Sequence, residues 1–351
     1  MRKSPIRVFT FGLALAAPMQ VFAADNSRIW PAEVSIPNTR QVQFTSAING
    51  EPYTLFVSIP FIPPPPGGYP VYYVLDGDAY FSTAVVGSRL LQENAAVVVG
   101  IDHLAFNDRA VIEKYANRKP GDTGPIGTDA MISAYNRLRT HDLTLPVAPA
   151  HRAPGWFEPS RNGGLDDFLK IIEGEIKPRI AALVPVDAAN QALYGHSLGG
   201  LAVVHALFTE PNAFRSFIAS SPSLWWDDDA VLEDETKFAA AIAAGQAAPR
   251  ILITAGGDED DLPIPPKAFV KSLAPAKQAE IAPYLKQRAR WSGMVSGTRA
   301  LASRLAALDG AKGYKVEYAL MTGEDHPTAA LVSVGRGLRF AFGGARYKFD
   351  K

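Results

Sequence analysis

No cysteine occurs in the 351 residues of this chain. That absence excludes a thiol nucleophile, a structural disulfide, an iron–sulfur cluster and a thiolate zinc site. Net charge is missing too, with 35 basic residues against 35 acidic ones. A balanced chain carries no electrostatic footprint of a nucleic-acid binder, so no nucleic-acid partner is expected. Histidine is scarce, six in all, so each one can be weighed singly as a base. Beyond the first two dozen residues no apolar run approaches the roughly 20 residues of a spanning helix. No cluster of histidines and carboxylates has metal-ligand spacing, and nothing implies a cofactor.

What is present begins with an address. Met1 to Arg7 is basic, Val8 to Val21 is largely apolar with a break at Pro18, and Phe22-Ala23-Ala24 offers small residues for cleavage. This pattern reads as a cleavable secretory signal over residues 1–24, with the bacterial periplasm as the expected location. The alternative, an uncleaved anchor, would need a longer apolar run. Loss of Arg2, Lys3 and Arg7 leaves 32 basic against 35 acidic residues. The remainder, 25–351, reads as a single domain, large enough to bury a core without disulfides.

Two β-like runs open that domain, Arg40 to Ile48 and Tyr53 to Phe61, with Asn49-Gly50 between them as a hairpin signal. Apolar runs then alternate with helical patterns. Val71 to Leu75, Ala95 to Ile101, Ala192 to Tyr194, Arg215 to Ala219, Ile251 to Ala255 and Tyr314 to Met321 read as strands. Ala79 to Leu91, Leu165 to Leu183 with a bend at Pro178, and Leu198 to Phe208 read as helices. This rhythm predicts an α/β class: a mostly parallel central sheet with helices on both faces and an antiparallel N-terminal hairpin. Two weakly periodic stretches rich in proline interrupt it, near 107–159 and 262–292. Loops that long are usually functional, and they read as walls or a lid over the carboxyl edge of the sheet, with surface decoration as the blander account.

The chemistry centres on Gly195-His196-Ser197-Leu198-Gly199, a Gly-x-Ser-x-Gly string with an apolar strand before it and an amphipathic helix after it. That context describes a nucleophile elbow, in which a serine is exposed on a strained strand-to-helix turn. A serine that transfers acyl groups needs a base, a group orienting the base, and oxyanion donors. In the order serine, acid, histidine, only His205 and His326 follow Ser197. His205 falls inside the helix leaving the elbow and reads as a packed helix residue. His326 follows a predicted strand and precedes a helix at Thr328, so it is the candidate base; a polar turn residue capping that helix is the alternative. The acid is expected in Asp258-Glu259-Asp260-Asp261, after the penultimate strand. Glu259 is the first candidate, with Asp258, Asp260 and Asp261 as competitors and a Ser-His pair without an acid also open. A solvated acidic turn and a calcium-holding loop are the non-catalytic accounts of that run, whose spacing matches no known calcium loop. Oxyanion donors are expected from the N–H of Leu198 and from the turn Leu75-Asp76-Gly77-Asp78, with Gly77 preferred to Asp78; both aspartates could instead cap the following helix.

Several separated motifs agree with one family. They are Tyr73 to Phe81, Arg139 to Thr144, Gly163-Gly164, Gly195 to Leu201, Ser220 to Trp226 and Gly323 to His326. In that order they resemble the esterase D group of α/β hydrolases, and most of all its bacterial trilactone-siderophore (enterobactin-type) esterases. The resemblance implies the α/β-hydrolase fold, Ser197 as nucleophile, His326 as base, and the Gly77 and Leu198 amides as oxyanion donors. It also implies that Arg139 helps hold an anionic catecholate and that Trp225 stands near the pocket wall. The expected activity is therefore hydrolysis of a ferric tricatecholate trilactone. The alternatives are a general carboxylesterase of small or aryl esters, a triad-based acyltransferase, or a non-catalytic binding protein on the same scaffold.

Overall fold

A run of short, almost wholly buried strands builds the sheet. All seven residues of β3 (Tyr69–Leu75) and all six of β4 (Val97–Asp102) are buried. Strands buried on both faces read as continuous apolar runs, which is the pattern of a covered parallel sheet. With β1 (Thr39–Thr45), β2 (Pro52–Ser58), β5 (Val186–His196), β6 (Ser216–Ser220), β7 (Arg250–Gly256) and β8 (Lys315–Met321), they form one eight-stranded sheet in the order β1-β2-β4-β3-β5-β6-β7-β8. β1–β2 and β2–β4 pair antiparallel, and every pair from β4–β3 to β7–β8 is parallel. The expected α/β-hydrolase architecture is what the chain adopts. This computed structural model describes residues 35–103, 109–115, 127–148, 161–261, 267–278, 282 and 293–343. Every element considered below belongs to the unit Asn38–Lys351.

The helices among the described residues include α1 (Gly77–Leu90), α2 (Arg109–Tyr115), α3 (Thr128–Leu143), α4 (Leu165–Ile171), α5 (Lys177–Leu183), α6 (Leu198–Thr209), α7 (Glu235–Ala243), α8 (Lys267–Ser272), α9 (Met294–Ala306) and α10 (His326–Phe342). They cover both faces, and the period-two alternation of β3 shows how. The Tyr72 hydroxyl donates to the Val334 carbonyl of α10, whereas the Tyr73 ring packs edge-on against Phe214 on the opposite face. Full burial of each such side chain contributes on the order of 1.5–3 kcal/mol.

Four elements differ from the sequence reading. β5 begins at Val186, well before Ala192, because none of its first five positions is buried and two are exposed, so they form no continuous apolar run. The bend expected at Pro178 is preceded by a π-turn, Ile172–Ile176, and Pro178 itself sits in the first turn of α5, where its missing N–H costs little. α10 starts at His326 rather than Thr328, because Asp325 caps it: its carboxylate accepts from the Thr328 amide at 3.0 Å. Most informative is α3, sixteen helical residues inside a stretch read as weakly periodic. Its inward positions include Tyr135, Arg139 and Asp142 beside Ala134 and Leu138, so polar partners break the apolar stripe. The signal region, most of 107–127 and 149–160, and most of 262–292 lie outside the described residues.

Candidate active site

The parallel strands end together at Leu75, His196, Ser220, Gly256 and Met321, and the loops that follow build one cluster. Ligand sites in such sheets form beyond the carboxyl ends of the strands. At the centre is Ser197, with φ 59° and ψ −116°, between the end of β5 and the start of α6. A positive φ on a residue with a Cβ is strained, and it thrusts the side chain out of the turn. From Gln191 to Phe208 every residue is buried except Ser197. Gly195 makes the turn possible: a Cβ there would sit 2.2 Å from the Gly199 carbonyl oxygen. Local sequence thus exposes one hydroxyl in an otherwise sealed segment.

His326 reaches that hydroxyl. Its Nε2 lies 2.9 Å from Ser197 Oγ, across 129 residues of sequence. Its Nδ1 faces Glu259 Oε2 at 3.5 Å, a contact too long for a hydrogen bond. Burial singles out Glu259 among its neighbours, since it is 2% exposed while Asp258 is exposed and Asp260 half-buried. Glu259 Oε1 accepts from the Gly256 amide at 2.9 Å and the Ser221 hydroxyl at 2.5 Å, leaving Oε2 aimed at the imidazole. Asp260 accepts instead from the Val295 amide at the start of α9. Asp325, adjacent to the histidine, acts as the helix cap, and its bonds to the Thr328 amide and hydroxyl hold its carboxyl below the ordinary range. The other candidate histidine, His205, is buried on α6 with Nε2 2.7 Å from Asp166 of α4, a structural tie between helices.

Three serines, Ser220 at the end of β6 and Ser221 and Ser223 just after it, make contacts that the sequence reading did not assign. Ser221 holds Glu259. Ser223, buried, places its hydroxyl 3.4 Å from Ser197 Oγ, and its amide donates to the Ser197 carbonyl. Ser220 bonds His196 Nδ1 at 3.0 Å and is itself bonded by Ser333 of α10 at 2.7 Å. The His196 ring lies 4.5 Å, centroid to centroid, from the His326 ring. Burial first, then the neighbouring His326 and Arg139 charges, push the His196 pKa well below 6.5, so it packs as a neutral ring. A Ser-Ser-Pro-Ser run directly after a strand was the available signal.

The Leu75–Gly77 turn abuts the elbow: a Cβ on Gly199 would lie 3.4 Å from Asp76 Oδ2 and 3.5 Å from Leu75 Cβ. The Gly77 and Leu198 amides head α1 and α6, and first-turn amides have no partner within their helices. The Leu198 amide directly follows Ser197 and the Gly77 amide lies in the turn that abuts the elbow; helix N-terminal N–H groups are the kind that stabilise negative charge on a carbonyl oxygen. The Asp78 amide, the alternative donor, is already bonded to Asp102 Oδ2 at 2.9 Å. Arg139, implicated by resemblance in anion binding, is paired with Asp76 through Nε at 2.6 Å and Nη2 at 2.8 Å. Trp225 is half-buried beside Trp226, two residues after Ser223. Among the described residues no group of three or more histidines and carboxylates could hold a metal ion, and no helix is long and apolar enough to cross a membrane.

Comparison with known proteins places this chain among esterases. The esterase family model ("Putative esterase") matches residues 150–291. The siderophore triacetylfusarinine C esterase of Aspergillus fumigatus is 32% identical over 326 residues, 89% of this chain and 96% of that protein. The ferri-bacillibactin esterase BesA of Bacillus subtilis is 29% identical over 316 residues, 88% and 90% of the two chains. The crystal structure of the BES protein from Bacillus cereus superposes with a TM-score of 0.64 at 27% identity, covering 89% of this chain and 98% of that one.

Proposed function

The chain belongs to the esterase family of these siderophore esterases and is a hydrolase of ester bonds; on that premise we propose that it cleaves a siderophore ester through a Ser197–His326–Glu259 triad. The observation that carries the reading is the 2.9 Å contact of His326 Nε2 with a serine held at φ 59° on an elbow. In the reaction, Ser197 Oγ attacks the ester carbonyl while His326 Nε2 takes its proton. Glu259, buried behind Nδ1, stabilises the imidazolium. The Gly77 and Leu198 amides receive the oxyanion. The imidazolium returns its proton to the departing alkoxide, and water then attacks the acyl-serine with His326 again as base.

The substrate class proposed is a tricatecholate trilactone carrying ferric iron, whose linearisation loosens its hold on the metal. The two relatives above are named for different siderophores, which supports a siderophore ester as the common element. The basic start and apolar run of residues 1–24 support export to the periplasm, where an incoming ferric complex would be met. A mass-spectrometric time course of the ferric trilactone with the mature protein tests this. Ordered appearance of linear trimer, dimer and monomer, absent with Ser197→Ala, is expected. An intact trilactone beside rapid cleavage of a small aryl ester would overturn the substrate and leave a general carboxylesterase. Ester products formed on added alcohol would reveal an acyltransferase.

A further inference from the structure

Arg139 and the turn after β3 form an arrangement that the hydrolytic scheme has not used. Asp76 holds φ 55° and ψ 56°, the left-handed region, at the residue before Gly77. Such a conformation persists in a residue with a Cβ only when its surroundings impose it. Both carboxylate oxygens of Asp76 are gripped by the guanidinium fork of Arg139, at 2.6 and 2.8 Å, with the two side chains 6% and 19% exposed. A two-point fork fixes orientation as well as position, which a single ammonium contact does not. On the other side of the turn, Asp102 Oδ2 accepts from the Asp78 amide at 2.9 Å while its Oδ1 accepts from the His103 amide at 2.6 Å. The Asp76 carbonyl accepts from the Ala79 and Tyr80 amides at 3.1 and 3.2 Å, closing the first turn of α1. Gly77 sits between these anchors against β4, where a Cβ would lie 2.7 Å from the Gly100 carbonyl carbon. Gly77 is therefore held between anchored neighbours, on the turn that abuts the elbow at Gly199.

We propose that Arg139 is a positioning residue of the oxyanion site, acting through Asp76 to aim the Gly77 amide, and is not the cation that receives an anionic substrate. The proposal rests on Ser197 being the nucleophile. Its consequence is that Arg139 matters equally for an uncharged substrate, because the oxyanion forms on any ester. A substrate-binding cation would matter only for the anionic one.

The test compares Arg139→Lys, Arg139→Met and Asp76→Asn with the natural protein on p-nitrophenyl butyrate and on a ferric tricatecholate trilactone. Active sites are titrated to completion with a fluorophosphonate so that kcat is expressed per folded site, and binding of an uncharged alkyl trifluoromethyl ketone reports tetrahedral-adduct stability. Loss of a whole oxyanion donor costs about 10²–10³ in kcat, so misaiming one is expected to cost about 10- to 100-fold. That loss should appear with p-nitrophenyl butyrate at nearly unchanged KM, and ketone affinity should weaken in proportion. Arg139→Lys keeps the charge and loses the fork, so it should also fall. Unchanged kcat per site for the uncharged ester, with KM raised only for the ferric complex, would overturn the proposal and assign Arg139 to the substrate. Fewer titratable sites with unchanged kcat per site would overturn it as well, leaving a role in folding alone. Should Arg139→Met fail to fold, the lysine variant and Asp76→Asn decide. Turnover persisting in Ser197→Ala would instead mark failure of the nucleophile assignment, a separate outcome.

Discussion

Glu259→Gln isolates the charge behind His326 with little change of shape. The substituted side chain can keep one oxygen for the Gly256 amide and the Ser221 hydroxyl, which now bind Oε1. Its amide nitrogen would then face His326 Nδ1, which lies 3.5 Å from Oε2. A donor there forces the imidazole to place its proton on Nε2, the nitrogen that must accept from Ser197. Electrostatics add to that tautomer effect. At 3.5 Å and an effective dielectric of about 20, the carboxylate and the imidazolium attract by about 5 kcal/mol. The imidazole is 33% exposed, so solvent screening removes roughly half, leaving about 2–3 kcal/mol. That corresponds to a fall in kcat of about 30- to 150-fold. Steady-state hydrolysis of p-nitrophenyl butyrate across pH, per fluorophosphonate-titrated site and with thermal melts alongside, reads it out. A loss under about threefold at every pH would refute the reasoning and leave a Ser-His pair working without an acid.

Other expectations follow from the same geometry. Burial holds His196 well below its ordinary pKa of 6.5, and lowers His103 as well. A histidine depressed in the folded state gives stability that is full above about pH 6.5 and is lost as pH falls toward the folded value. Urea midpoints should therefore drop on acidification below 6.5, and His196→Asn should flatten that slope; parallel slopes would contradict the assignment. Gly195→Ala places a methyl group 2.2 Å from the Gly199 carbonyl oxygen, and overpacking against backbone should cost about 3 kcal/mol or more and abolish fluorophosphonate labelling. Natural-like urea unfolding and labelling in that variant would disprove the elbow constraint. Asp325→Ala removes the cap of α10 and should cost about 1 kcal/mol in urea unfolding, with a several-fold fall in kcat because His326 occupies the first turn. An unchanged kcat would show that the cap does not hold the imidazole.

Local spacing explains what was legible in the sequence. The sheet could be read because its strands are short apolar runs between helical patterns, and Ser197 because a nucleophile elbow needs small residues at fixed offsets. His326 stood out through scarcity, with two histidines after the serine. Glu259 could be ranked first but its three acidic neighbours stayed open, because burial is decided by tertiary packing against Gly256 and Ser221. Ser220, Ser221 and Ser223 were passed over for a related reason: each makes a different contact, with His196, Glu259 and Ser197, and nothing in the spacing distinguishes them. α3 was hidden because its inward polar residues, half-buried Arg139 and buried Asp142, find partners in Asp76 and Tyr53, 63 and 89 residues away. A helix whose inner face is written in salt bridges leaves no hydrophobic period.

Intact-protein and peptide mass spectrometry after reaction with a fluorophosphonate tests the central claim most directly. One adduct per chain, on the peptide containing Ser197 and absent in Ser197→Ala, is the expected result, with labelling slowed in His326→Ala. An unlabelled protein, or an adduct on another residue that persists in Ser197→Ala, would contradict Ser197 as the nucleophile.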